Sequence, residues 1–123
     1  MSLIDPSTVG MLTMALDATA LRQQAIAQNI ANANTPGYQR IGVSFETHLG
    51  ALRDTLRHGG TPSLASLNNY RPRLELVGAP GDPVELDMEV AALSDNTLQQ
   101  QALLKVLNKH MSLLSTAVNE GKR

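Results

Sequence analysis

The chain has no cysteine and no tryptophan, and only one phenylalanine and two tyrosines among its 123 residues. Without cysteine there are no disulfide staples and no thiol chemistry, which suits a reducing compartment and equally suits a polypeptide that must travel unfolded and uncrosslinked. With Tyr38, Phe45 and Tyr70 as the whole aromatic complement, the core is left to Ala, Leu, Val, Ile and Met, and a chain of this length makes a thin core alone. Excess charge of one sign is missing too: 10 Lys and Arg face 11 Asp and Glu, for a net charge of -1. The nearest thing to a basic cluster is Arg71-Pro72-Arg73, so there is no footprint for nucleic acid or anionic lipid. No apolar run approaches the roughly 18 residues of a membrane span. The first residues carry Asp5 rather than a basic stretch leading into an apolar one. The expectation is a chain that is cytoplasmic or leaves by a route that reads no ordinary signal peptide.

The chemistry of sites is equally sparse. His48, His58 and His110 are the only histidines, and none stands at a metal-ligand spacing from another histidine or a suitable carboxylate. His110 lies on an apolar seam and reads as a packed core residue. Asp87 and Glu89 are two apart on a helix, so they diverge and form no convergent acid and base pair. There is no glycine-rich phosphate loop and no nucleophile elbow. These absences predict no enzyme, no cofactor, no metal and no small-molecule substrate.

What is present is helix-forming sequence. Asp5-Pro6 is a favourable helix start, with proline at the first helical position, and no proline intervenes from Ser7 to Asn34. That predicts a helix of about 40 Å at about 1.5 Å per residue. Leu12, Leu16, Ile26 and Ile30 share one side of it, while Met14, Ala18, Leu21 and Ala25 lie on another, and a helix apolar on several sides needs several neighbours. It closes with Asn29-Ile30-Ala31-Asn32-Ala33-Asn34-Thr35-Pro36-Gly37-Tyr38. Proline pushes Thr35 out of the helical region, and Pro36-Gly37 suits the centre of a type II turn, where glycine supplies the positive φ. The helix is therefore expected to end near Asn34. The closely spaced Asn29, Asn32 and Asn34 compete for backbone bonds inside a helix. They are useful for capping and for bonding the backbone of an adjacent chain.

Beyond the turn, Phe45, Leu49, Leu52 and Leu56 fall at spacings of four, three and four, predicting a short amphipathic helix over 44–57. The segment 58–83 is rich in Gly, Pro, Ser and Asn and reads as a loop. Its alternating patch Arg73-Leu74-Glu75-Leu76-Val77 predicts a short strand or small hairpin. The cleanest periodicity comes last. Leu86, Val90, Leu93, Thr97, Gln100, Leu104, Leu107, Met111, Leu114 and Val118 alternate spacings of four and three, as a heptad seam requires, over a helix expected from 87 to 119. A second seam, Leu103, Val106, His110, Leu113 and Ala117, runs beside its distal half, and one partner helix cannot cover both. Acidic residues crowd the start of this helix while Lys105 and Lys109 sit late, matching the helix macrodipole.

The fold class predicted is mainly α. A core helix over 1–34 and another over 84–123 flank a loop-rich middle over 35–83, in one structural unit that packs as a coiled-coil-like bundle with neighbouring subunits. Two such helices bury little area against their chain entropy, so the function expected from the residues alone is polymerisation through helix bundling. The alternative is a soluble helical adaptor or chaperone whose seams wrap a single partner.

The stretch Leu21-Arg22-Gln23-Gln24, leading into the string from Asn29 to Tyr38, resembles the signature shared by the axial proteins of the bacterial flagellum: rod, hook and hook-associated. Within that family the chain resembles the short proximal rod class. Its length, Phe45 and Leu49 after the signature, and Val84-Glu85-Leu86-Asp87-Met88-Glu89 opening a helix that runs through Gln101-Ala102-Leu103 to Leu113-Leu114 carry that placement. The family commonly has an Asp-Gly-Asn turn before the C-terminal helix, where this chain has Pro80-Gly81-Asp82, and an aromatic where Gln100 stands. The resemblance implies a rod subunit that is exported unfolded through the flagellar type III apparatus and assembled in the periplasm, with both terminal helices in a tubular core. It implies as partners further copies of the chain, other rod proteins, the FliE adapter and the export gate. The signature turn would be formed by Asn29, Asn32, Asn34, Thr35, Pro36, Gly37 and Tyr38. Subunit interfaces would be formed by Leu12, Leu16, Leu21, Ile26, Ile30, Leu86, Val90, Leu93, Leu104, Leu107, Met111, Leu114 and Val118. In a flagellar setting the alternative becomes an adaptor or chaperone of the type III export system.

Overall fold

A computed structural model describes residues 6–44, 58–59 and 71–121. The element order is α1 (Pro6–Ala31), β1 (Ile41–Val43), β2 (Leu74–Leu76) and α2 (Leu86–Gly121). The chain is thus mainly α, with two long terminal helices and one small sheet, as its sequence predicts. The helix expected over 44–57 lies outside the described residues except for Ser44, which is extended and donates from its backbone N–H to the Arg73 carbonyl at 2.9 Å.

α1 starts at Pro6, where proline costs no backbone donor, but it ends at Ala31, three residues short of the expected Asn34. The reason is local. Asn32 Nδ2 donates to the Gln28 carbonyl at 2.9 Å, and the next backbone bonds tighten, from Ala33 N–H to the Ile30 carbonyl and from Thr35 N–H to the Asn32 carbonyl. The helix winds down through these shorter turns before Pro36 stops it. Tyr38 N–H then bonds the Thr35 carbonyl at 3.2 Å with Gly37 at φ 74°, the type II geometry expected of Pro-Gly. A second turn of the same kind precedes α2: Asp82 N–H donates to the Ala79 carbonyl at 3.1 Å, and Gly81 has φ 87°. Where the resemblance leads one to expect Asp-Gly-Asn, Pro80-Gly81-Asp82 stands, and its glycine supplies the positive φ.

The strand expected around 73–77 is β2, and its partner is β1, directly after the signature turn, rather than a segment inside the loop. The pairing is antiparallel, with Ile41 opposite Leu76, Gly42 opposite Glu75 and Val43 opposite Leu74. Gly42 eases a close approach, since a Cβ there would lie 3.0 Å from Val77 Cγ1 and the valine would have to shift.

α1 and α2 pack as an antiparallel hairpin, Thr19 meeting Asn96 and Asn29 meeting Glu89. α2 runs from Leu86 to Gly121, slightly longer at both ends than the periodicity alone predicts. The face it turns to α1 is Glu89, Leu93, Asn96, Gln100, Leu103, Leu107 and His110, again at alternating spacings of four and three. The buried interior holds more polar than apolar side chains: Ala18, Ala25 and Ile26 against Thr19, Asn29, Glu89 and Asn96. The ten-residue apolar seam on α2 shares only Leu93, Gln100 and Leu107 with this inner face. Leu86, Val90, Leu104, Met111, Leu114 and Val118 are between 43% and 53% exposed.

Candidate functional site

The signature asparagines have distinct jobs. Asn29 is buried at 1% exposure because it projects from the inner face of α1 toward both α2 and the returning chain. Its carboxamide acts as a strand edge. Nδ2 donates to the Ile41 carbonyl at 2.9 Å and Oδ1 accepts from the Ile41 N–H at 2.9 Å, so β1 is bonded by β2 on one side and by one side chain on the other. The backbone it binds belongs to its own chain, not to an adjacent one. The Tyr38 hydroxyl donates to the same Oδ1 at 2.7 Å. On the far side Nδ2 also lies 3.4 Å from Glu89 Oε2, and Arg40 Nε pairs with Glu89 Oε1.

A carboxylate as enclosed as Glu89, at 3% side-chain exposure, is tolerated because a guanidinium and a carboxamide answer it. Helix end, turn, strand and second helix are thereby tied at one point. Burial first, and the Glu89 carboxylate second, push the Tyr38 phenol above its ordinary range, which keeps it protonated and donating.

A second polar knot lies two turns further along. Asn96, at 1% exposure, donates through Nδ2 to the Thr19 carbonyl at 2.8 Å and to Gln23 Oε1 at 3.1 Å. Its Oδ1 accepts from Arg22 at 3.3 Å, and the same guanidinium nitrogen reaches Gln99 Oε1 at 3.3 Å. The Thr19 hydroxyl turns back to the Leu16 carbonyl at 2.7 Å. Small residues on α1, Ala18 and Ala25 among them, let the helices approach closely enough for these bonds.

Asn32 and Thr35 shape the turn, Thr35 Oγ1 donating to Asn32 Oδ1 at 3.2 Å. Asn34, Thr35, Pro36 and Gly37 are exposed. The two Pro-Gly turns flank a cleft of about 220 Å³ at this end of the hairpin, lined by residues 32–38 and 81–84. Of the interface positions expected on α1, Ile26 is buried inside the hairpin and Leu12, Leu16, Leu21 and Ile30 are half-buried. On α2, Leu93 and Leu107 face α1, and the remaining six expected positions are exposed. His110 sits on the inner face as a packed residue, with Nδ1 enclosed and without a hydrogen-bond partner among the described residues. Sequence reasoning missed Thr19, Arg40, Glu89 and Asn96. Spacings of four and three through 89, 93, 96, 100, 103, 107 and 110 were the available signal, hidden because its first members are polar.

The arrangement is one of interlocked structure: two helices, a clamped ribbon and an uncovered apolar face. No helix is long and apolar enough to cross a membrane among the described residues. Residues 12–39, the stretch that carries α1 into the signature turn, match the family described as flagella basal body rod protein. The chain is similar over most of its length to flagellar basal body rod proteins FlgB. It is 30% identical to that of Yersinia enterocolitica, covering 87% of this chain and 90% of the relative. It is 30% identical to that of Bacillus subtilis, covering 94% and 95%, and 33% identical to that of Cereibacter sphaeroides, covering 89% and 92%. Matched at 30% identity or more over most of its length, the chain belongs to the FlgB family of flagellar basal body rod proteins.

Proposed function

We propose that the chain is a structural subunit of the proximal rod of the flagellar basal body. It polymerises through its terminal helices into part of the periplasmic drive shaft, whose bore is the export channel. The observation that carries this reading is the exposed seam of α2. Six apolar residues at heptad spacing, each 43% to 53% exposed, stand beside an interior whose buried side chains are mostly polar. Their burial between copies supplies the apolar area that the single hairpin lacks. The role is packing and torque transmission rather than catalysis.

Around that role we place other rod proteins, the FliE adapter and the export gate as partners. The subunit travels through the type III apparatus, and the absence of cysteine suits that route. The divisions 1–34, 35–83 and 84–123 then correspond to core helix, middle and core helix. Circular dichroism of the purified full-length chain at low concentration, with a thermal melt, tests the reading. Weak helicity without a cooperative transition, together with recovery of the chain in isolated basal bodies, is the expected result. A compact monomer with a sharp melt, absent from basal bodies, would overturn it.

A further inference from the structure

We propose that Glu89 and Asn96 form a two-letter code that fixes the register of α2 against α1, and with it the height at which the outer face of α2 stands relative to the signature turn and the ribbon. The inner face of α2, through 89, 93, 96, 100, 103, 107 and 110, is a strict heptad. A slip of seven residues, roughly 10 Å along the axis, therefore keeps every inner position inner. The outer seam repeats at the same interval, so a slipped chain would still display it, displaced against Asn29 and β1. Apolar pattern does not separate the two registers.

The buried polar residues do. In the observed register Glu89 answers the Arg40 guanidinium and lies 3.4 Å from Asn29 Nδ2. One heptad on, Asn96 donates to the Thr19 carbonyl and to Gln23 Oε1 and accepts from Arg22. The two letters are not interchangeable. A carboxylate in the place of Asn96 has no hydrogen for the Thr19 carbonyl, and a carboxamide in the place of Glu89 leaves Arg40 without an anion. Slipped one heptad toward the turn, α2 would set Asn96 opposite Asn29 and Arg40, and Leu103 opposite Thr19 and Gln23. Polar groups at both levels would then lose the partners that their burial requires. The opposite slip brings residue 82 level with Asn29, ahead of the first residue of α2 at Leu86, and sets Glu89 against the Thr19 carbonyl with no hydrogen to give. Only the observed register reads both letters correctly.

The inference concerns a single chain and does not rest on the rod reading. The sequence has no cysteine, so introduced pairs report the register. Between the two polar contacts, Ala25 lies at the level of Leu93 in the observed register and of Gln100 in the slipped one. Purified full-length chain carrying Ala25→Cys with either Leu93→Cys or Gln100→Cys is concentrated until its helicity stops rising, and is then oxidised. The intrachain disulfide is expected to form with the Leu93→Cys pair in preference to the other by roughly a hundredfold. Moving the code one heptad along, by Glu89→Leu, Asn96→Glu and Leu103→Asn, is expected to invert that preference. Asn96→Asp alone, equal in size to the native side chain, withdraws a donor from the observed register and offers Arg40 an anion in the slipped one. It is expected to lower the preference roughly tenfold. An undiminished preference for the Leu93→Cys pair in either variant overturns the code, and so does linkage through Gln100→Cys in isolated basal bodies of the otherwise native chain. If the moved-code chain gains no helicity, Asn96→Asp decides. A chain that crosslinks as expected but is missing from basal bodies would overturn the rod reading and leave the code standing.

Discussion

At one end of the hairpin, Asn29, Tyr38, Arg40 and Glu89 bond helix, turn, strand and helix into a knot of hydrogen bonds. At the other end, residues 111–121 of α2 run on past the start of α1, exposed at every position. The first end satisfies its polar groups within the chain and asks for nothing. The second displays Met111, Leu113, Leu114 and Val118 with no helix at their level among the described residues. One chain thus carries a self-sufficient terminus and a dependent one, and the division places specificity at the knot and adhesion at the overhang. Buried polar groups add little net stability, but they penalise every register in which they go unpaired. Apolar area adds stability with little preference for register.

Substitutions at the two ends should therefore fail differently. The largest effect is expected from Met111→Asp combined with Leu114→Asp, which places charge where burial is needed. Swimming and rod incorporation should be lost, while circular dichroism of the isolated chain stays as in the wild type. Retained motility would show that the overhang is not an adhesive surface.

At the knot, Asn29→Ala strips both Ile41 backbone groups and the Tyr38 hydroxyl of a partner, for a loss of about 3 kcal/mol. In assembled rods it should be read as faster amide exchange at Ile41 and Val77, by roughly a hundredfold. Unchanged exchange would mean that the carboxamide does not hold the strand.

Gly37→Val is expected to cost about 1–3 kcal/mol through backbone strain alone. A Cβ at Gly37 meets nothing within 4 Å, but φ is +74°. Gly37→Asn, which tolerates that region better, should recover part of the loss in the same exchange measurement. Equal losses for Val and Asn would place the cause elsewhere.

The smallest effect is a pH dependence at the knot. The Tyr38 phenol is raised by burial and by Glu89, so the folded chain holds its proton more tightly than the unfolded chain does. Its stabilisation is complete below the unfolded value near 10 and is lost as pH rises through the raised folded value. In assembled rods, wild-type helicity should therefore fall more steeply above about pH 10 than that of Tyr38→Phe. Identical slopes for the two proteins would remove Tyr38 from the account.

Much of this fold could be read from the residues, for reasons that also explain what could not. Periodicity located both helices because apolar side chains at 3.6-residue spacing report burial of some kind. Pro36-Gly37 announced the turn because few other pairs fit that backbone. Periodicity does not say which chain supplies the burial. The seam through Leu104, Met111 and Val118 is the most regular pattern in the sequence, yet most of it lies outside the hairpin. The intrachain face runs through Glu89 and Asn96, which apolar pattern reading treats as surface. β1 escaped notice because three residues with a central glycine carry no alternation, and its outer edge is satisfied by a side chain no strand pattern encodes. The expected domain divisions and interface residues stand as proposals tested by the substitutions above.

The polar interior has a calorimetric consequence. Exposing apolar surface raises the heat capacity on unfolding, and exposing polar surface lowers it. A hairpin whose most enclosed side chains are Thr19, Asn29, Glu89 and Asn96, against Ala18, Ala25 and Ile26, should unfold with a heat-capacity increment below the roughly 12–15 cal/mol/K per residue of ordinary domains. Within the assembled rod its free-energy curve against temperature is then broad and shallow. Such a subunit meets its neighbours in nearly the same state across the whole range of temperatures at which a cell grows.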